Sequence, residues 1–141
     1  MPQPVVFAAC EKIIVEQGTN NISLISLLQD LTAHLPPNAE GEVKTAQSWS
    51  VFCLWQRDSE ADAEHSFEQR VVLVDPKGVA VFEMMQAFRM QARTQRNVGL
   101  VNGFPISLAG EYQLVLSLRV NGGEWKHCGT YILTLKHAPA G

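Results

Sequence analysis

The stretch Ser107-Leu108-Ala109-Gly110-Glu111-Tyr112-Gln113-Leu114-Val115-Leu116-Ser117-Leu118-Arg119-Val120-Asn121-Gly122-Gly123-Glu124-Trp125-Lys126 and its continuation to Lys136 decides the fold. Strand side chains alternate between two faces, so Tyr112, Leu114, Leu116, Leu118 and Val120 point one way. Asn121-Gly122 then supplies a type I′ reversal, because both residues tolerate positive φ. On the return strand the same period places Trp125, His127, Tyr131, Leu133 and Leu135 on one face. Ahead of the hairpin, Leu108, Gly110 and Tyr112 have the spacing of a tyrosine corner, in which the phenol bonds back to backbone across a bend.

Outward from this hairpin the chain reads as further strands between turns. Val5 to Val15 and Ile22 to Leu28 form a first hairpin across Gly18-Thr19-Asn20-Asn21. Leu24 to Leu31 would also suit a helical turn. His34 to Ala46 is a loop, with Pro36-Pro37, Asn38 and Gly41. Gln47 to Arg57 is a strand with Trp49, Val51, Cys53 and Trp55 on one face and Phe52 and Leu54 on the other. Both faces are apolar, so it is central or covered.

Asp58 to Glu64 is an acidic connection, and Ser66 to Val74 is a strand with Phe67, Val71 and Leu73 on one side. Asp75-Pro76-Lys77-Gly78 is a reverse turn. From Val79 to Arg96 the helix-forming composition competes with strand alternation. The preceding turn and the lack of an N-cap favour one long strand. Val98 to Ile106 is a short strand or extended segment, interrupted by Gly103 and Pro105.

Seven or eight strands follow, and they fit an all-β antiparallel Greek-key sandwich, immunoglobulin-like in layout, with a β-barrel as the alternative. The 141 residues suit one domain, 1–141, with a short flexible tail at 138–141. The pieces Ile22-Ser23-Leu24-Ile25, Asp75-Pro76-Lys77-Gly78, Phe104-Pro105 and Gly110-Glu111-Tyr112 together resemble a family of small, functionally uncharacterised bacterial β-sandwich domains. The resemblance spans nearly the whole chain. It implies a fold and carries over no activity, cofactor or site residue.

Composition narrows function mainly by exclusion. Charged residues make up 18%, and 11 basic against 14 acidic residues leave a formal net charge of −3. That balance argues against nucleic-acid binding, which needs a concentrated basic surface. The start of the chain shows neither a basic leader nor a cleavable apolar segment, and no apolar run reaches membrane-spanning length. Three cysteines, Cys10, Cys53 and Cys128, cannot all pair within one chain. The expectation is a soluble cytoplasmic protein with free thiols and no membrane partner.

Chemistry-bearing residues favour plain structural roles. Cys128 and His127 are strand neighbours pointing to opposite faces, and zinc-ligand spacing is missing. Cys53 lies between Val51 and Trp55 and reads as core. Asp58, Glu60, Asp62 and Glu64 begin like a calcium loop. Ala63 and Gln69 then stand where Gly and Glu are required, so a solvated, self-repelling loop is the better reading. Arg89, Arg93 and Arg96, with Lys77, could meet phosphate or an acidic partner. On one extended strand Arg89 and Arg93 share a face, and edge-strand charge is the simpler account. Trp125, just after the turn, is the tryptophan best placed for exposure, whereas Trp49 and Trp55 sit in core-like company.

No phosphate loop, nucleophile elbow or local catalytic trio occurs, so neither an enzyme nor a cofactor is expected. The favoured expectation is a non-enzymatic module working through a protein partner or self-association. Trp125, Arg89 and Arg93 are its candidate contacts. A small-ligand or carbohydrate-binding sandwich, with Trp125 as platform, is the alternative.

Overall fold

A computed structural model describes residues 1–35 and 41–138. Among these described residues nine strands lie in two sheets: β1 (Gln3–Val15), β2 (Ile22–Leu27), β3 (Asp30–Ala33), β4 (Ser48–Gln56), β5 (Ser66–Val74), β6 (Ala80–Arg89), β7 (Thr94–Asn102), β8 (Gly110–Val120) and β9 (Lys126–His137). Sheet A has the order β2-β1-β4-β7 and sheet B the order β3-β9-β8-β5-β6. The fold is an all-β sandwich. Its two sheets carry separate ladders and do not join into the alternative barrel.

The count exceeds the expected seven or eight, and the sheets are not purely antiparallel. After β2 the chain crosses at Leu28-Gln29 into sheet B, where β3 runs parallel to β9. Leu28 N–H donates to Ala9 O at 2.9 Å, and Tyr131 Oη donates to Leu28 O at 2.8 Å. Leu24 to Leu31 therefore holds strand and crossing, not a helical turn.

The long strand expected over Val79 to Arg96 is also divided. β6 ends at Arg89 in sheet B and β7 begins at Thr94 in sheet A. No Gly, Pro or Asn marks the crossing over Met90 to Arg93. It is held from outside by Arg57, whose guanidinium donates to Met90 O at 2.7 and 3.0 Å and to Gln91 O at 2.8 Å. Buried Met90 anchors it from within.

The interior is filled by the inward period of both sheets. Trp49, Val51, Cys53 and Trp55 of β4 meet Phe67, Val71 and Leu73 of β5, Leu114, Leu116 and Leu118 of β8, and Leu133 and Leu135 of β9. β4 is central in its sheet, as its two apolar faces require. Its second face is sheltered because sheet A curls. Arg96 Nη2 on β7 reaches Asn20 O in the β1–β2 turn at 2.7 Å, bringing opposite ends of the sheet together. Phe52 and Leu54 then share a shallow cavity with Val6, Ile22 and Leu24.

The corner and turns take the expected forms. Tyr112 Oη donates to Leu108 O at 2.6 Å, completing the tyrosine corner. Asn121 and Gly122 have φ of 51° and 72°, and Gly123 N–H donates to Val120 O at 2.9 Å, as a type I′ turn demands. In the Asp75 turn, Gly78 N–H donates to Asp75 O at 2.9 Å, and Asp75 Oδ1 accepts from Lys77 and Val79.

The acidic connection is not a solvated loop throughout. Glu60–Glu64 forms a 3-10 turn in which Asp62 is buried. Its carboxylate accepts from Asp58 N–H at 2.8 Å and Ser59 N–H at 3.2 Å, and the Met1 amine lies 3.5 Å away. Part of the His34 to Ala46 loop and most of the tail expected at 138–141 lie outside the described residues. Ala138 itself is anchored, its N–H donating to Ala33 O at 2.8 Å.

Candidate interaction face around Trp125

The outer face of sheet B is a regular lattice whose cross-strand rows follow from register. One row runs Ala87, Glu68, Arg119, and the next runs Met85, Arg70, Ser117, His127. Beyond these lie Glu83, Val72, Val115, Thr130 and then Val74, Gln113, Ile132. Met85 is 48% exposed and Ile132 50% exposed, so the face mixes exposed apolar groups with the charges of Glu68, Arg70, Arg119 and Glu83.

Trp125 lies on this outer face, not with Tyr131, Leu133 and Leu135. The cause is a β-bulge. Leu116 pairs with Gly129 but Ser117 pairs with His127, leaving Cys128 as an extra residue in β9. One inserted residue reverses the parity of everything before it, so His127 and Trp125 turn outward. The sequence does carry one sign of this: Gly129, a glycine inside a strand, is a usual mark of a bulge.

Two guanidinium groups stack on the indole. The Arg70 Cζ is 4.4 Å from the Trp125 ring centroid and the Arg119 Cζ is 4.6 Å from it. Arg119 is also paired bidentately with Glu68, through Nε at 3.1 Å and Nη2 at 2.9 Å. Arg70 has no carboxylate partner among the described residues, and its buried Nε finds no acceptor. Ser117, beside Arg70 in its row, is only 7% exposed although it lies on the outer face, as expected for a residue roofed by the indole. The ring offered as a sugar platform therefore has its π-face engaged by cations. Arg70, Arg119 and Glu68 went unremarked in the sequence, because nothing local to β5 or β8 shows that an indole from a distant turn covers them.

Arg89 and Arg93 do not join this cluster or form one of their own. Arg89 ends the edge strand of sheet B, where its guanidinium donates to Glu64 O at 3.4 Å. Arg93 sits in the crossing between the sheets and is exposed, and Arg96 belongs to β7. The shared face expected for Arg89 and Arg93 is lost because the chain changes sheets between them.

The buried chemistry is structural. Gln69 points into the core, where its Oε1 accepts from Trp55 Nε1 and Asn97 Nδ2, each at 2.8 Å. Its Nε2 donates to Gln86 Oε1 at 3.0 Å, and Gln86 Nε2 continues to Val98 O at 3.0 Å. This chain of bonds ties the two sheets together with every named donor used. Burial pushes the thiols of Cys10, Cys53 and Cys128 up, away from the reactive thiolate, and Cys128 adds to the effect at Cys53. His127 bonds to Thr130 Oγ1 and Cys128 to Lys126 O, so the neighbouring pair does not converge. Among the described residues no three His, Cys, Asp or Glu side chains gather as a metal site. Nor is any helix there long and apolar enough to cross a membrane.

A cavity of about 220 Å³ opens at the end of the sandwich. It is lined by Leu28, Leu31, Trp49, Phe104 and Ile106, with Glu11 as its one carboxylate among the described residues.

No family model and no curated protein sequence matches the chain. Among solved structures it is similar to the alkylpurine DNA glycosylase AlkC of Pseudomonas fluorescens bound to DNA containing an abasic-site analog. The identity is 10% and the TM-score 0.44, over 92% of this chain and 30% of that one. It is also similar to the soluble domain of PmoD from a Methylocystis species, at 9% identity and TM-score 0.39, over 96% and 98% of the two chains. The chain thus spans under a third of the glycosylase, and neither likeness bears on function.

Proposed function

We propose that the chain is a non-enzymatic β-sandwich module that works through protein contacts made by the outer face of sheet B. The observation that carries this reading is the Trp125 cluster, an indole and two arginines with exposed Met85 in the adjoining row, on a face that also exposes Ile132 two rows away. Trp, Arg and Met are the residue types most enriched at protein interfaces, and Trp and Arg dominate their energetics. Raised thiols and a buried network whose donors are all occupied support a structural interior over a reactive one. The weak net charge of −3 fits protein partners better than nucleic acid. A cytoplasmic setting belongs to the same reading.

The test is a pull-down from the native host with the wild-type chain and with the pair Met85→Lys and Ile132→Lys, alongside sedimentation of both. The reading expects a partner, or a concentration-dependent dimer, that the two lysines abolish while the thermal midpoint holds. Binding that survives both lysines would move the contact off this face and reject the reading.

A further inference from the structure

The two arginines beneath Trp125 differ in one respect. Both stack on the same indole, at 4.4 and 4.6 Å. Arg119 has its carboxylate supplied from within the chain, by Glu68 on the neighbouring strand. Arg70, on the same strand as Glu68 and two residues along, has none among the described residues. Of the two guanidinium groups at the indole, Arg119 is ion-paired with Glu68, and Arg70 has no carboxylate within 4.0 Å among the described residues, Glu83 being its diagonal neighbour on β6.

A guanidinium placed over a ring presents its remaining N–H groups as a planar fork. Such a fork matches a planar carboxylate, and the ordering entropy is already spent by the stacking. The Arg119–Glu68 pair shows that this geometry forms on this very indole. The Nε of Arg70 is buried without an acceptor and out of a partner's reach, so the N–H groups open to a carboxylate are those at its two Nη atoms.

We propose that Arg70 receives an aspartate or glutamate side chain from a protein partner docked on the outer face of sheet B. The inference rests on the function proposed above and names the chemistry of the partner. One guanidinium without an ion pair, on a face that also carries Glu68 and Glu83, suits a monoanionic carboxylate better than a phosphate dianion. The row neighbour Met85, exposed beside Arg70, suits an acidic residue carried among apolar ones better than a free small anion.

Selection of a displayed random 12-residue peptide library on the folded domain tests this, with recovered peptides titrated by fluorescence anisotropy. Recovered peptides should share an Asp or Glu flanked by apolar residues. Arg70→Gln should weaken them at least tenfold, Arg70→Lys should weaken them less, and Arg89→Gln should leave them unchanged. Replacing the peptide's acid by its amide should cost as much as Arg70→Gln, with no further loss when both changes are combined. Matching melting curves for Arg70→Gln and Arg70→Lys separate this from misfolding.

Peptides lacking an acid, no enrichment at all, or equal binding to Arg70→Gln would overturn the proposal. So would displacement by inorganic phosphate at concentrations where acetate has no effect, or occupation of the face by a second copy in sedimentation. Peptides lost on Met85→Lys with Ile132→Lys but indifferent to Arg70→Gln would leave the contact face standing and sink only the carboxylate. Peptides indifferent to all three would sink both.

Discussion

The two faces of sheet B are built from the same strands by opposite rules. On the inner face Leu114, Leu116 and Leu118 are fully buried, and the buried Gln69 has its amide bonded at both ends. On the outer face, one residue away along β5, Arg70 holds a buried Nε with no acceptor. An unmatched polar group inside a core costs about 1–3 kcal/mol and is rarely tolerated. On the outer face the covered Nε bears that cost, and the contact left open is at the Nη atoms of Arg70. The interior is closed chemistry and the exterior is open.

Adjacent residues of β8 give the largest contrast between those faces. Leu116→Ala should cost about 2–5 kcal/mol by opening a cavity, whereas Val115→Ala, on the outer face, should cost under about 1 kcal/mol. Urea melts of the two variants check this, and equal costs would mean that the faces are not distinct. Next in size, Gln69→Leu removes the acceptor shared by Trp55 and Asn97 and should cost about 3 kcal/mol. Arg70→Leu, its neighbour, should be neutral within about 1 kcal/mol, since removing an unsatisfied donor offsets the loss of the contact with Trp125. A destabilisation by Arg70→Leu as large as that of Gln69→Leu would break the comparison.

Tyr112→Phe comes next. It deletes the bond to Leu108 O and should cost about 1 kcal/mol in the same melts. Burial, followed by nearby Asp75, raises the Tyr112 hydroxyl above its ordinary value, so the bond persists through neutral pH.

The smallest effect is a pH dependence at Asp62. Burial alone would raise this carboxyl. The Asp58 and Ser59 N–H bonds, with the chain's amine, outweigh burial and hold it below its ordinary value. A group depressed in the folded state stabilises fully above its unfolded pKa, and that stabilisation is lost as pH falls through the folded value. Thermal midpoints should therefore fall on acidification by less in Asp62→Asn than in the wild type. Parallel curves would remove Asp62 from the account.

What the sequence disclosed divides along similar physical lines. Features written locally were legible: the Asn121-Gly122 turn, the Asp75 turn, the Leu108–Tyr112 corner and the central place of β4. Features imposed from a distance were not. The β6–β7 crossing lacks turn residues because Arg57, more than 30 positions away, satisfies its carbonyls. The β2–β3 crossing has no breaker because Tyr131 and Ala9 hold Leu28. The site was half legible. Trp125 stood out by position, but its face was misassigned, since strict alternation cannot register the extra residue at Cys128. Arg70 and Arg119 acquire meaning only once that bulge has turned the indole over them.

The account stands on Trp125 lying outside the sandwich against two guanidinium groups. A nuclear Overhauser spectrum, with the Trp125 indole assigned by comparison with Trp125→Phe, tests it directly. The expected cross-peaks run from the ring protons to the side-chain methylenes of Arg70 and Arg119. Cross-peaks to Leu118 and Leu133 instead would place the ring in the core and contradict it.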